Sequence, residues 1–571
     1  MSLSDGIPST PVEEEVDNRS IIDRLWDGII DFNSWSNEFL GGKHSEDEDF
    51  DPELVLSKIP INDLEAGRII QDHVGRMLTH IAEESRWYVW DGRIHIPVES
   101  DVVAREITYK LYDALNETIR EVDVYYESIA RRFRGSKDDN DKKKLAEVNE
   151  KIKKVKEYRW YKDNIASNRG SVALTKVLES LFHKDSDFFD KDTDYFVVKN
   201  GVFLTNVFDE NGWPKLVRHS PERAVSKYYN AEWNPGAYYT VNDSKFMKFL
   251  RSSVEGGSKE HIEFLQKATG ASFLGRNKLR SIINLIGPPS SGKSLFIETI
   301  WKPGTRGSGY CVMPNSSAIT RQQQNWEQSR FRGKRMIAIS EPDAGKEVDD
   351  DFLKRFTGDV WVETRNLREK SHGWTPQGML FIASNDYLKI NTRDKAIVDR
   401  IHIIEFPYHF VPNPDPQNPK EKLRNTYLTD ELQTAEERSN ILFWIVDGMR
   451  KFHLDGESIN PPESIKNASN KVVTEGSAAT RWIADQVENG NMVRETIDEP
   501  YGHIKLSEAW SDFSIWNSIN NEHSRLSKSY FEKDISQWYE IKRHGGDKYI
   551  IGLRKTHKGS YNVNNNQEVL A

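Results

Sequence analysis

The segment from Ser281 to Ile297 constrains the fold of this chain more than any other part of its sequence. An apolar run with strand character leads into a turn of the form G-x-x-x-x-G-K-S, and an apolar-periodic helix follows. Such a turn surrounds an anion with backbone N–H groups and the positive end of a helix dipole. Both flanks therefore favour a nucleoside triphosphate site over an accidental Gly/Pro/Ser surface turn. The predicted binding residues are Gly287, Pro288, Pro289, Ser290, Ser291, Gly292, Lys293 and Ser294.

Two side chains of this turn are expected to bind the phosphates and a metal ion. Lys293 reaches the β- and γ-phosphates in such loops, and the hydroxyl of Ser294 binds Mg²⁺. About fifty residues further on, four apolar residues and Ser340 precede Glu341. A strand of this kind, a Walker B strand, places a carboxylate beside the γ-phosphate and the metal ion. The sequence therefore predicts two neighbouring strands that carry the reactive groups.

The composition excludes several other kinds of protein. The chain has 571 residues, which indicates several domains, and its 37% hydrophobic content allows sizeable cores. Its single cysteine, Cys311, excludes a disulfide framework and a cysteine-rich zinc site, and suits a reducing interior. The first twenty residues are polar and acidic, and no run of eighteen apolar residues occurs, so neither a leader nor a membrane span is predicted. A cytoplasmic protein is expected.

The negative charge of the chain is concentrated at one end. The net charge is −10, yet residues 1–53 alone hold fifteen acidic and three basic side chains, a balance of −12. The other 518 residues therefore carry about +2, and the net charge does not argue against nucleic-acid binding. The segment 131–159 is rich in Lys and Arg, which indicates either a solvated helical face or a track for DNA. The solvated face is favoured.

Local signals predict an α/β fold with five regions. Hairpins are expected at Asp91-Gly92 and Asn200-Gly201. An amphipathic helix is expected at 21–30; it either packs on its own domain or docks on a partner protein, and packing on its own domain is favoured. The regions are an acidic tail at 1–59, a mixed α/β domain at 60–236, a P-loop domain at 237–410, a linker and helical segment at 411–490, and a helical and winged-helix module at 491–571 whose wing strands are 538–541 and 549–553.

The order of these motifs resembles that of the superfamily III helicases, ring-forming ATPases of the AAA+ type. The phosphate-binding strand, the acidic strand about fifty residues later and a strand ending at Asn385 about forty-four residues beyond follow that order. The resemblance is strongest to the phage and plasmid primase-helicase branch, which is poxvirus-like, and it covers about 70–560. The shared motifs are Ser340-Glu341, the Leu-Lys-x-x-Thr-Gly-x-Asp pattern at 353–359, Asp-Arg-Ile at 399–401, the hairpin at 90–92 and the Asn-Gly-Val strand at 200–202.

The resemblance implies a role for each matching residue. It implies that Glu341 polarises the attacking water, that Asn385 senses the γ-phosphate, and that Arg400 is an arginine finger for the neighbouring subunit, with Arg393 as the alternative. It also implies a DNA-binding hairpin at 359–376 that enters the pore of the ring. Near its tip lie Lys370 and His372, which suit phosphate contacts, although an exposed polar turn would look the same.

Two departures from the family pattern affect these expectations. Ser340 stands where many P-loop ATPases have an acid, so Glu341 is expected to serve both metal and water, helped by Asp343. Only about 70 residues precede the matched region, too few for the primase domain of the larger members. A separate primase or polymerase is therefore the expected partner, with the acidic tail as its docking segment.

The resulting hypothesis is an ATP- and Mg²⁺-dependent DNA helicase. The resemblance implies an AAA+ core at 237–410 behind a helicase-associated domain at 60–236, a hexameric ring, binding of single-stranded and forked DNA, and 3′→5′ movement. Two alternatives stay open. One is a DNA-packaging or remodelling motor with the same loop, and the other is a loader or origin-binding scaffold that uses ATP only to assemble.

Overall fold

The computed structural model describes most of the chain, and the predicted helix at 21–30 lies outside that part. No helix in the described part is both long and apolar enough to cross a bilayer. The described residues are 36–37, 39–98, 100–254, 258–276, 279–305, 309–320, 325–340, 348–358, 361–365, 371–385, 387–388, 397, 399–476, 478–494, 503–519, 527–536 and 538–556.

The first region is a set of helices packed beside a small sheet. The helix α3 carries Ile107, Leu111 and Leu115 at helical spacing, and all three are buried in one core with the neighbouring helices. The hairpin predicted at Asp91-Gly92 is confirmed, since β2 and β3 pair antiparallel across it. The elements are α1 (Pro52–Lys58), α2 (Asp63–Val74), β1 (Leu78–Ile81), β2 (Arg86–Trp90), β3 (His95–Val98), α3 (Ser100–Phe133), α4 (Asp139–Ile165), α5 (Asn168–Leu181) and β4 (His183–Lys184).

A second antiparallel sheet connects this region to the rest of the molecule. Its first hairpin turns at Asn200-Gly201, as predicted, and the Asn200 amide bonds both the N–H and the carbonyl of Trp233. The buried guanidinium of Arg335 donates to the carbonyl oxygens of Thr193 (2.7 Å) and Tyr195 (2.5 Å), so it links this sheet to the central one. The strands are β5 (Tyr195–Val198), β6 (Gly201–Phe208) and β7 (Pro214–Val217).

The central sheet has five parallel strands in the order β14-β8-β13-β10-β9. Most residues of its strands are apolar because both faces are covered, each by its own hydrophobic core. The elements from here to the next region are α6 (Ala237–Thr240), α7 (Lys245–Ser253), α8 (Lys259–Phe273), β8 (Ile282–Ile286), α9 (Lys293–Trp301), β9 (Cys311–Val312), α10 (Asn325–Ser329), β10 (Met336–Ser340), α11 (Asp350–Thr357), β11 (Val362–Arg365), β12 (Ser371–Trp374), β13 (Met379–Ser384), β14 (Ile401–Glu405), β15 (His409–Val411), β16 (Glu421–Leu423), α12 (Leu428–Glu431), α13 (Ala435–Leu454) and α14 (Glu463–Gly476).

One of these helices belongs to the central core although the sequence suggested a linker around it. The helix α13 crosses α8 at two glycines: a Cβ on Gly270 would lie 2.3 Å from the backbone of Gly448 and Met449, and one on Gly448 would lie 2.3 Å from the carbonyl oxygen of Gln266. Because neither glycine has a side chain, the two helix backbones can touch. Segment 411–490 therefore contains a main support of the sheet.

The last region is a small helical core with a hairpin. The rings of Phe513 and Phe531 stack at 4.7 Å, and Trp482 lies against the second at 5.8 Å. The hairpin strands lie closer together in sequence than predicted. The two-residue turn Gly545-Gly546 allows His544 and Asp547, the residues on either side of it, to pair directly. The elements are α15 (Ala478–Glu488), β17 (Met492–Arg494), β18 (Ile504–Lys505), α16 (Leu506–Ile519), α17 (Lys528–Ile535), β19 (Ile541–His544), β20 (Asp547–Ile550) and β21 (Leu553–Lys555).

A buried histidine next to the central strand β8 makes the stability of this core depend on pH. Burial lowers the pKa of His402, in β14, to about 4, while its Nε2 lies 3.1 Å from the hydroxyl of Ser281. The unfolded chain binds this proton below pH ~6.5 and the folded chain only near pH 4. We expect about 3 kcal/mol of stability to be lost as the pH falls through that window.

Thermal unfolding between pH 7 and pH 4 measures this effect. The His402→Asn chain cannot bind the proton, so its midpoint should fall less over the same range. Equal pH dependence in the two chains would contradict the assignment.

Candidate nucleotide-binding site

The loop between β8 and α9 is a tight turn that two glycines make possible. A Cβ on Gly287 would lie 2.0 Å from the carbonyl oxygen of Phe406, so no other residue fits against β14 there. Gly292 has a φ of +97°, and a Cβ on it would meet the ring of Phe249 at 2.9 Å. Ser290, between them, also has a positive φ of 57°. The glycines are thus needed for the turn itself and for its close packing.

The structure brings the predicted loop lysine and the predicted sensor asparagine together. The side chain of Lys293, at the start of α9, is buried. Its Nζ donates to the carbonyl oxygens of Gly287 (2.6 Å) and Pro288 (2.8 Å) and to Ser291 Oγ (3.0 Å). The same Nζ lies 3.2 Å from Oδ1 of Asn385, although 92 residues separate the two in sequence. The lysine therefore contacts the loop and the next strand at once.

Strand register explains why these groups meet. The strand β13 pairs in parallel with β8, with Ser384 opposite Ile286, so Asn385 follows at the same carboxyl edge as the loop. On the other side of β13, Ser340 at the end of β10 is opposite Ala383. Carboxyl ends of parallel strands form one edge of the sheet, which is where ligands bind in such folds. The acids predicted just after β10, Glu341 and Asp343, and the alternative finger Arg393 lie outside the described residues.

A cavity of about 1060 Å³ opens in front of the loop. Its far wall, made by β15, β16 and α12, is joined to the loop by a hydrogen bond from Phe410 N to the carbonyl oxygen of Ser290 (3.1 Å). Sequence reasoning missed this wall, because it ended the P-loop domain at 410 and predicted a linker after it. The described lining holds one carboxylate, that of Glu431, and five cationic side chains: Lys245, Lys248, Lys293, Lys422 and Arg424.

The cationic lining suits a polyanion. Glu431 is already engaged, since it accepts hydrogen bonds from Lys245 (2.6 Å) and Asn425 (3.0 Å) that lower the pKa of its carboxyl. Burial lowers the pKa of Lys422, whose Nζ donates to the carbonyl oxygen of Ser252 (2.6 Å). The loop, Lys293 and the other cations fit a triphosphate. The exposed Ser294, in the first turn of α9, fits the metal ion that accompanies it.

The predicted arginine finger lies at the opposite end of the strands, their amino-terminal end. The carbonyl oxygen of Arg400 accepts from Ile282 N (2.7 Å), so Arg400 stands at the amino end of β8, whereas the loop begins at its carboxyl end. A five-residue strand separates them by roughly 16 Å, given about 3.3 Å per residue. The Arg400 guanidinium donates to Thr357 Oγ1 (2.9 Å), at the end of α11. Arg400 is therefore not part of the cavity formed by its own chain.

The predicted DNA-contact segment forms an antiparallel strand pair. In it, β11 pairs with β12, with Thr364 opposite His372 and Val362 opposite Trp374. Residues 366–370, which include Lys370, lie outside the described residues, as do 359–360. Within the described residues, no group of three or more His, Cys, Asp or Glu is placed to hold a metal ion.

Comparison with known proteins finds a likeness on both sides of the loop. Residues 67–255 match the family described as D5 N terminal like. The curated protein "Putative helicase V13" of the Sputnik virophage is 24% identical over 384 residues, which cover 64% of this chain and 45% of that protein. The chain thus aligns with less than half the length of that relative.

Solved structures give a weaker likeness. A structure titled as the A form of the apo NrS-1 C-terminal region matches 56% of this chain and 77% of that one, at 10% identity and a TM-score of 0.31. Another apo structure of the same region matches 62% and 93%, also at 10% identity and a TM-score of 0.31. At that TM-score the likeness carries no argument.

Proposed function

We propose that this chain is an ATP-dependent DNA helicase that works as a ring on single-stranded DNA. The D5-N-terminal-like region and the relative named as a helicase support a helicase- or primase-like function in replication. The finer parts of the proposal rest on the residues themselves. They are membership of superfamily III in its poxvirus-like branch, an AAA+ core at 237–410, a winged helix at 491–571, a hexamer and 3′→5′ movement.

The observation that carries the proposal is the contact between Lys293 and Asn385 at the carboxyl ends of the strands, with Arg400 at their amino ends. Lys293 of the proposed phosphate-binding loop contacts Asn385, the proposed sensor, while Arg400, the proposed finger, lies roughly 16 Å from the loop of its own chain. An arginine in that place can complete an active site only on a neighbouring molecule. Head-to-tail contacts of this kind form a ring when the rotation between subunits closes.

In this proposal each predicted site residue has a definite task in phosphoryl transfer. Lys293 leaves the carbonyl oxygens of the loop and holds the β- and γ-phosphates of ATP, and Ser294 binds Mg²⁺. Asn385 orients the water or the γ-phosphate, and Glu341 polarises that water. Arg400 of the adjacent subunit stabilises the charge that develops on the transferred group.

The DNA is bound in this proposal by the β11–β12 hairpin. Lys370 and His372 near the hairpin tip contact backbone phosphates inside the ring, so that movement of the hairpin with each ATP pulls the strand. The acidic tail, with a balance of −12 over 1–53, docks on a separate primase or polymerase, and the protein works in the cytoplasm.

A forked duplex tests the proposal. We expect the purified chain to separate the strands of a DNA fork with ATP and Mg²⁺ and to leave them paired without ATP. We also expect its assembly mass to rise to that of a ring when ATP and a single strand are present. An intact fork with brisk ATP turnover would favour a packaging or remodelling motor. ATP-dependent assembly without DNA-stimulated turnover would favour a loader or origin-binding scaffold.

A further inference from the structure

The segment 131–162, which comprises the end of α3 and most of α4, is strongly positive within the D5-N-terminal-like region. Between Arg131 and Lys162 the sequence holds thirteen cationic and six acidic side chains, a balance of +7. The helix α4 is 27 residues long and buries only Val155, Tyr161 and Ile165. A long helix that contributes so little to the core has most of its surface available for other contacts.

One exposed face of α4 carries three of its nine cations together with an aromatic ring. Lys142, Asn149, Lys153, Lys156 and Trp160 follow one another at steps of seven, four, three and four residues, which places them on one face. All five are exposed, Trp160 to 68%, and the same spacing continues just beyond Trp160 to the exposed carboxylate of Asp163, which pairs with Lys162 (3.1 Å). At 1.5 Å per residue this basic stripe is about 27 Å long. It combines separated positive charges with an aromatic ring at one end.

The neighbouring face of α4 is already occupied by the acidic end of the tail. Glu53 bonds Lys151 (2.5 Å) and Tyr126 (2.8 Å) and lies 3.7 Å from Lys154. On the basic stripe itself, Lys142 and Lys153 have only exposed ion pairs with Asp139 and Glu150, three residues earlier on the same helix. Exposed pairs of this spacing are weak and exchange readily for another anion. The stripe is thus the side of the helix that remains open in the described structure.

We propose that the basic stripe binds single-stranded nucleic acid; that it is a second surface, separate from the β11–β12 hairpin, rests on the proposed function. Lys153 and Lys156 contact neighbouring backbone phosphates, Lys142 contacts a phosphate further along the strand, about 16 Å away at 1.5 Å per residue, and a base stacks on the exposed indole of Trp160. Single-strand sites combine these two elements, because every base offers a flat face and every linkage a charge. A paired duplex has no free base for the indole. The unpaired strand at a fork is therefore the ligand this surface fits.

Equilibrium binding of the full-length chain without ATP tests the stripe. The probes are a thymidine oligonucleotide and the same sugar-phosphate chain without bases. Lys153→Gln with Lys156→Gln should weaken both about tenfold at 0.1 M salt and lower the slope of log K against log salt by about 1.4, or 0.7 for each lost phosphate contact. Trp160→Ala should weaken the oligonucleotide about tenfold and leave the abasic chain unchanged, since only a base can stack.

A matched control separates this surface from general electrostatics. Lys143→Gln with Lys154→Gln removes the same charge from the same helix on a different face, and should change either affinity less than twofold. Equal weakening by the two double variants, or an equal effect of Trp160→Ala on both probes, would overturn the proposal. The readout needs no ATP turnover, so a failure of the fork experiment leaves it standing.

Discussion

Replacing Lys293 by alanine is expected to reduce ATP turnover by about 10²–10³-fold, because one charged donor to the transferred phosphoryl group is lost. Its Nζ is also the group that joins Gly287, Pro288 and Ser291 to Asn385. Nucleotide affinity should therefore fall together with turnover. Fluorescent-nucleotide binding and steady-state phosphate release measure the two effects separately.

A lysine at the other end of the same helix provides the control. Lys302 directly follows α9 and forms an ion pair with Glu298 (3.0 Å), so Lys302→Ala removes an equal charge far from the loop. We expect near-normal turnover from it. Thermal unfolding of both variants shows whether the loop still folds. A Lys293→Ala chain that folds normally and hydrolyses ATP at the rate of the Lys302→Ala chain would exclude the loop as the active site.

The sequence was enough to predict the groups that sit at the ends of strands. Strand-loop-helix order fixes Gly287 to Ser294 at a carboxyl edge, and parallel pairing then brings Asn385 beside them whatever the intervening chain does. Both hairpins with Asp-Gly or Asn-Gly turns were also predictable, since the turn residues set the register locally.

Contacts between distant segments left no comparable local signal. The cavity wall at 409–431 lies mostly in a segment predicted as a linker, yet Phe410 in it donates a hydrogen bond to Ser290 of the loop. The approach of Gly270 to Gly448 depends on two glycines 178 residues apart. In the sequence, Arg335 is one of several cations in a basic segment. In the structure it is buried and bonds Thr193 and Tyr195, so it links the β5–β7 sheet to the central sheet. Such features depend on packing, which a single sequence does not reveal.

Substitution of Arg400 by alanine should leave ATP binding intact and lower turnover by about 10³-fold or more, the usual effect of losing an arginine finger. The reason is its position: it lies roughly 16 Å from the loop of its own chain, at the amino edge of the sheet. Thr357→Val provides the control, because it removes the bond that Arg400 makes within its own chain (2.9 Å) and keeps the guanidinium. That variant should retain most of its turnover.

Mixing two inactive variants decides whether Arg400 acts on its own chain or on the next one. The Lys293→Ala chain keeps Arg400 but has no working phosphate-binding loop. The Arg400→Ala chain keeps the loop but lacks the arginine. In a mixed ring, a site is complete wherever Arg400 of a Lys293→Ala subunit meets the loop of an Arg400→Ala subunit. An equal mixture should therefore recover a measurable part of wild-type turnover. Action within one chain predicts no recovery at any ratio. Because neither variant alone can supply both groups, recovery can come only from a site shared between two subunits.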